Sequence, residues 1–207
     1  MRIFKTPRLI RNVYKRITWG FSISEPIVYL TFDDGPHPSV TPWILDELKR
    51  HDFKATFFCV GDNVARYPEI YKRILAEGHS VGNHTMKHEN ALKVSKEVYL
   101  DSVDQASKLI DSKLFRPPYG KITPSLIKAI KNDYHIVLWT WLSYDYDANL
   151  SIQKILQKAN RIQAGDILVL HDNQKLVDRQ KEFLPLLIEL LNVKKLKSKA
   201  LDSISLS

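Results

Sequence analysis

The 207-residue sequence has one cysteine, Cys59, and no uninterrupted apolar stretch of transmembrane length. A lone cysteine excludes an internal disulfide, and its setting in "ATFFCV" reads as a buried thiol in a reducing compartment rather than a nucleophile. The second absence excludes a spanning helix. Acidic residues are missing from residues 1–20, which carry six Lys/Arg, and nearly so from residues 190–207, which carry four Lys and one Asp. Those ends hold +6 and +3 of a net charge of +8, which leaves −1 for residues 21–189. A near-neutral body offers no basic groove, so no nucleic-acid partner is expected. The start, "MRIFKTPRLIRNVYKRITWG", has the charge of a secretory signal but never more than two apolar residues together. Without an export signal, a cytoplasmic location is the expectation.

After Pro7, the residues Leu9, Ile10, Val13, Tyr14 and Ile17 fall on one helical face, flanked by Arg8, Arg11, Lys15 and Arg16. A helix packed on the domain is the simpler reading, and an interfacial helix on an anionic membrane surface, peripheral at its inner face, is the alternative. Residues 1–24 are therefore expected as a basic extension, 25–193 as the main domain, and 194–207 as a solvated, partly disordered basic tail.

Between the ends, apolar runs alternate with amphipathic stretches. "IVYLTF" (27–32), "ATFFCV" (55–60), "HSVGNH" (79–84), "LFRPPYG" (114–120), "HIVLWTW" (135–141) and "DILVLHD" (166–172) read as strands. Helices are expected over 40–51, 63–77, 95–112, 123–132 with Thr123 as its cap, 151–162 and 179–191. Such alternation makes a parallel α/β sheet with helices outside it, as an open sheet or a barrel, with the ligand face at the strands' C-terminal ends. At those ends stand Asp33 and Asp34, His84, Arg116 and Tyr119, Asp145, and His171.

Adjacent carboxylates at the end of a buried strand are costly unless a metal, a cation or hydrogen bonds compensate them. "HTMKH" spaces His84 and His88 four apart, and with Asp34 they make two imidazoles and a carboxylate. That set serves catalytic zinc and non-haem iron, each with positions open for water or substrate. A metal would acidify a bound water for attack on a carbonyl, with Asp33 placed to take its proton. A leaving group would still need an acid, for which His171 is suitably placed.

The motifs "TFDDGP", "HTMKH", "RPPYG", "WTWLSYDYD" and "LVLHD" resemble, in order and spacing, the five motifs of polysaccharide deacetylases with the NodB homology domain, carbohydrate esterase family four. The resemblance runs from about Ile27 to Leu191 and implies a distorted (β/α) barrel of roughly six to seven units. It implies Asp33 as catalytic base, Asp34, His84 and His88 as metal ligands, and Arg116 as the cation holding the base. It further implies Tyr119, after Pro117 and Pro118, as a backbone donor to the oxyanion, and Asp145 as the carboxylate that orients the acidic His171. Trp139, Trp141, Leu168 and Leu170 are expected as the apolar wall for the acetyl methyl and the sugar face. Leu142 and Tyr146 depart from the family's usual aspartate and tryptophan, which bears on sugar specificity.

The implied activity is metal-dependent removal of acetyl from an N-acetylated amino sugar in a chitin-like, peptidoglycan or lipid-linked glycan. The metal is expected to be zinc, with cobalt, nickel, manganese or iron as other occupants of such a donor set. Three other readings are kept: an O-acetyl ester hydrolase, an iron-dependent oxygenase, and a non-catalytic carbohydrate- or membrane-surface-binding module. The oligomeric state is left open.

Overall fold

The computed structural model describes residues 2–14 and 16–201. In chain order the elements are α1 (Arg8–Val13), β1 (Ile27–Asp33), α2 (Thr41–Arg50), β2 (Ala55–Cys59), α3 (Gly61–Arg66), α4 (Pro68–Ala76), β3 (Ser80–Asn83) and α5 (Lys96–Ser107). They continue with β4 (Leu114–Phe115), α6 (Pro124–Ile130), β5 (His135–Ile136), β6 (Trp141–Leu142), α7 (Ile152–Ala159), β7 (Ile167–His171), α8 (Val177–Val193) and β8 (Lys197–Ser198). Short 3₁₀ turns cover Pro118–Gly120 and Gln174–Leu176.

The strands pair in parallel in the order β5-β4-β3-β2-β1-β7-β6, with β1 held between β2 and β7. The expected α/β barrel is therefore present. Its central strands β1, β2 and β7 are rich in apolar residues and almost entirely buried, as a sheet covered on both faces requires. Side chains from β1, β2, α2, α7 and α8 form the main core, and Cys59 is buried in it. Ser95, Thr123 and Ser151 cap α5, α6 and α7 through their side-chain oxygens.

Three expectations are corrected. The helix over 63–77 is two helices, because Pro68 carries no N–H and forces Tyr67 out of helical geometry, at φ −130° and ψ 56°. "HIVLWTW" is not one strand. Its first residues pair with β4 and its last with β7, at opposite ends of the strand order, so this one segment joins both rims and closes the barrel. The tail expected to be solvated is packed as far as Leu201: β8 pairs with Ile27 and Val28 of β1, and Leu196 and Leu201 are buried. Residues 202–207 lie outside the described residues.

The basic N-terminal segment is knitted to the closing segment. Thr6 donates to Thr140 O and Thr18 to Ile136 O, both at 2.8 Å. Leu138 donates to Thr18 O at 2.8 Å, and Leu142 to Phe4 O at 2.9 Å. It thus satisfies backbone groups that a split strand leaves open. No helix among the described residues is long and apolar enough to cross a membrane.

Removal of residues 1–20 unpairs these groups, each worth about 1 kcal/mol net. The expected result is a melting temperature lower by roughly 5–15 °C, read by circular dichroism. An unchanged melting temperature would show that the segment adds nothing to barrel closure.

Candidate active site

β1 ends on Asp33, and Asp34 follows at φ 84°, in the left-handed region. The turn gives the two carboxylates separate partners, which answers the cost of placing them side by side. Asp33 is buried against Arg116, whose Nη1 donates to Asp33 Oδ1 at 2.6 Å and to Thr31 Oγ1 at 2.7 Å. The remaining guanidinium nitrogens donate to Val137 O at 3.2 Å and Leu138 O at 3.3 Å, and the group lies 4.0 Å from the centre of the Phe58 ring. A fully buried arginine is tolerable only with this degree of pairing.

Asp34 faces the histidines. His88 Nε2 lies 3.1 Å and His84 Nε2 3.7 Å from its Oδ1, while Asn173 Nδ2 donates to its Oδ2 at 2.9 Å. Burial works against ionised Asp34, yet the His88 hydrogen bond and the surrounding imidazoles hold its carboxyl well below the usual carboxylate range. His84 Nδ1 lies 2.7 Å from Arg116 O, and since a carbonyl only accepts, Nδ1 carries the hydrogen and Nε2 is left bare. Burial also pushes His84 down to about 4, so the ring is neutral, as a metal ligand must be. One ligand atom from each of Asp34, His84 and His88 lies within 4.8 Å of the others. Two imidazole nitrogens and a carboxylate oxygen fit a divalent transition metal.

His171 ends β7, in register with Asp33. Its Nδ1 donates to Asp145 Oδ1 at 2.7 Å and its backbone N–H to Asp145 Oδ2 at 2.8 Å. Burial opposes a charge on the ring, but Asp145 foremost, with Asp34 and Asp33, pushes it up to about 9. The imidazole is therefore protonated at neutral pH.

Asp33, Asp34, His84, His88, His171 and Asn173 line one cavity of about 350 Å³, a volume suited to a small ligand or a sugar unit, with Arg116 and Asp145 buried behind them. Trp139 lines it as expected, together with Leu142, Tyr146 and Val169. Trp141, Leu168 and Leu170 do not: all three are fully buried in the main core. Side chains alternate along β7, so Val169 shares the cavity side with His171 while its neighbours face the helices. Pro118 is buried in the turn and does not line the cavity, so its part is to shape the turn. Tyr119 does line it, at φ 61°, with its ring 4.6 Å from that of His88. Its N–H donates to no carbonyl among the described residues.

Sequence reasoning missed Gln180 and Asn173. Gln180 is fully buried on α8, and its Nε2 donates to Asp145 Oδ2 at 2.6 Å and to His171 O at 2.8 Å. The available signal was a polar residue on the same helix face as Phe183, Leu184 and Leu187. Asn173 had no signal beyond standing next to the last motif.

The family model described as polysaccharide deacetylase matches residues 22–135. The chain belongs to this family. This family member is 38% identical over 164 residues to a peptidoglycan-N-acetylglucosamine deacetylase of Bacillus cereus, covering 75% of this chain and 77% of the relative. A second such deacetylase of that organism is longer, and the match spans 46% of it. A chitooligosaccharide deacetylase of Bradyrhizobium is 38% identical over 154 residues, 70% of each chain. Among solved structures, the Bc1960 peptidoglycan N-acetylglucosamine deacetylase superposes with a TM-score of 0.81 at 32% identity, covering 95% of both chains.

In an Asp145→Asn variant the charge that raises His171 is gone. The ring then titrates roughly 1–3 units lower. The expected outcome is a downward move of the His171 titration, followed by NMR of the ring, and of the alkaline limb of the pH–rate profile. A titration unmoved from about 9 would show that Asp145 is not the cause.

Proposed function

We propose that this protein is a metal-dependent hydrolase that removes the acetyl group from an N-acetylated amino sugar in an oligo- or polysaccharide, with peptidoglycan and chitin-like chains as the substrate class. The observation that carries this reading is the meeting of two differently prepared groups in one cavity. Asp33, paired with Arg116, and His171, paired with Asp145, end adjacent strands and line the same cavity as the Asp34, His84 and His88 cluster. The names of the Bacillus and Bradyrhizobium relatives support the substrate class.

Asp34, His84 and His88 would hold the metal, zinc by donor type with cobalt, nickel, manganese or iron as other occupants, which supplies Lewis acidity and acidifies the attacking water. The Asp33 carboxylate accepts a proton from that water, and Arg116 keeps it oriented for the task. The Tyr119 N–H donates to the carbonyl oxygen as it gains charge. The protonated His171 delivers its proton to the departing amine as the C–N bond breaks, so the leaving group departs neutral. Asp145 holds the ring in place during the transfer, and Gln180 in turn holds Asp145. Trp139, Leu142, Tyr146 and Val169 give the acetyl methyl and sugar face an apolar wall. The substitutions at Leu142 and Tyr146 leave the proton-carrying groups in place.

The test is acetate release from N-acetylated chito-oligosaccharides and peptidoglycan fragments with added zinc or cobalt. Release is expected from the wild type and is expected to fall by roughly 10²–10⁴-fold in Asp33→Asn. Chelation is expected to abolish it and added metal to restore it. Wild-type protein inert on every such substrate would overturn the reading.

A further inference from the structure

The N-terminal segment leaves the barrel after Thr6 and returns at Thr18, anchored at both points to the closing segment. Between the anchors stands α1, none of whose six residues is buried. So short a helix does not support itself in water, and this one gains no core contact in return. Leu9 is 76% exposed, Val13 68% and Ile10 41%, and these three share one face of the helix, with Tyr14, 42% exposed, following at its C-terminal cap. A contiguous exposed apolar face marks a surface that meets something.

Its flank says what. Arg8, Arg11 and Arg16 have no carboxylate partner among the described residues. Arg8 and Arg11 line an open groove with Asn12, Ser22 and Gln163, and the Arg11 Nε is shielded from water with no hydrogen-bond partner. Lys5 in the same groove is already engaged by Arg161 O, Gln163 and Asp166.

We propose that this face docks on an anionic lipid bilayer. Leu9, Ile10, Val13 and Tyr14 enter the interfacial layer, and the arginines meet lipid phosphates. Charge complementarity selects the bilayer over a second copy of the chain, which would bring the same arginines against these. Each cation near an anionic leaflet adds roughly a fivefold gain in partitioning. No residue of α1 lines the active-site cavity, so docking is separable from the chemistry.

The experiment is co-sedimentation of the full chain with vesicles of phosphatidylglycerol and phosphatidylcholine, or of phosphatidylcholine alone, at low salt. Deletion of the segment is unsuitable because it strips the barrel of its hydrogen bonds, so point variants at exposed positions are used. The expected result is binding to the anionic vesicles and at least tenfold weaker binding to neutral ones. A loss of about tenfold or more is expected in both Leu9→Asp/Val13→Asp and Arg8→Glu/Arg16→Glu, with melting temperatures near that of the wild type. If the aspartate pair lowers the melting temperature, Leu9→Ser/Val13→Ser is read in its place. No binding by the wild type, equal binding to neutral vesicles, or binding untouched by either pair overturns the proposal. So does self-association without vesicles that the apolar pair abolishes. Vesicle binding requires no turnover, so its failure leaves the deacetylase reading standing and the reverse holds as well.

Discussion

Arg116 is a cation with no exposed surface, and the active site is arranged around the need to satisfy it. Its guanidinium binds Thr31 and Asp33 on β1 and two carbonyls of the segment that closes the barrel. Its own carbonyl accepts from His84 and so decides which nitrogen of that ring is bare. One side chain therefore connects Asp33, a histidine of the Asp34, His84 and His88 cluster, and the closure of the sheet. Replacing it would leave Asp33 as an unpaired buried charge, which is far more costly than losing a surface ion pair.

Around that pair the backbone is bent into unusual shapes. Asp34, Thr85, His88, Tyr119 and Tyr144 all have positive φ without being glycine, and all lie in the turns that follow strands at the ligand face. Such conformations persist only where the surroundings hold them, and they gather at functional sites. The support beneath is tight. A side chain at Gly35 would overlap the Asp172 carboxyl, which burial holds well above its usual range and to which Thr41 donates. The loop carrying Asp34 can approach β7 this closely only because position 35 has no Cβ.

The two basic ends belong to the same account. Both supply backbone partners to barrel strands: the first to the closing segment, the last to the opening residues of β1. A basic composition alone reads as solvated chain. Yet the groups that matter here are main-chain N–H and C=O, which every residue carries whatever its side chain.

The amino-acid sequence by itself determined the alternation of strands and helices and the gathering of Asp33, Asp34, His84, Arg116, Tyr119, Asp145 and His171 at one end of a parallel sheet, while the barrel was implied only by the family resemblance. The alternation and the gathering follow from local periodicity and from short motifs whose members are close in sequence. Only the tertiary structure decided which strand neighbours Val137 and Trp141 would take, that Leu168 and Leu170 turn away from the cavity while Val169 lines it, and that Gln180 reaches Asp145 across 35 positions of chain. The reason is physical. Which face of a strand is inner depends on a register set by its partners, and a buried polar contact between distant residues leaves no periodic trace in the chain.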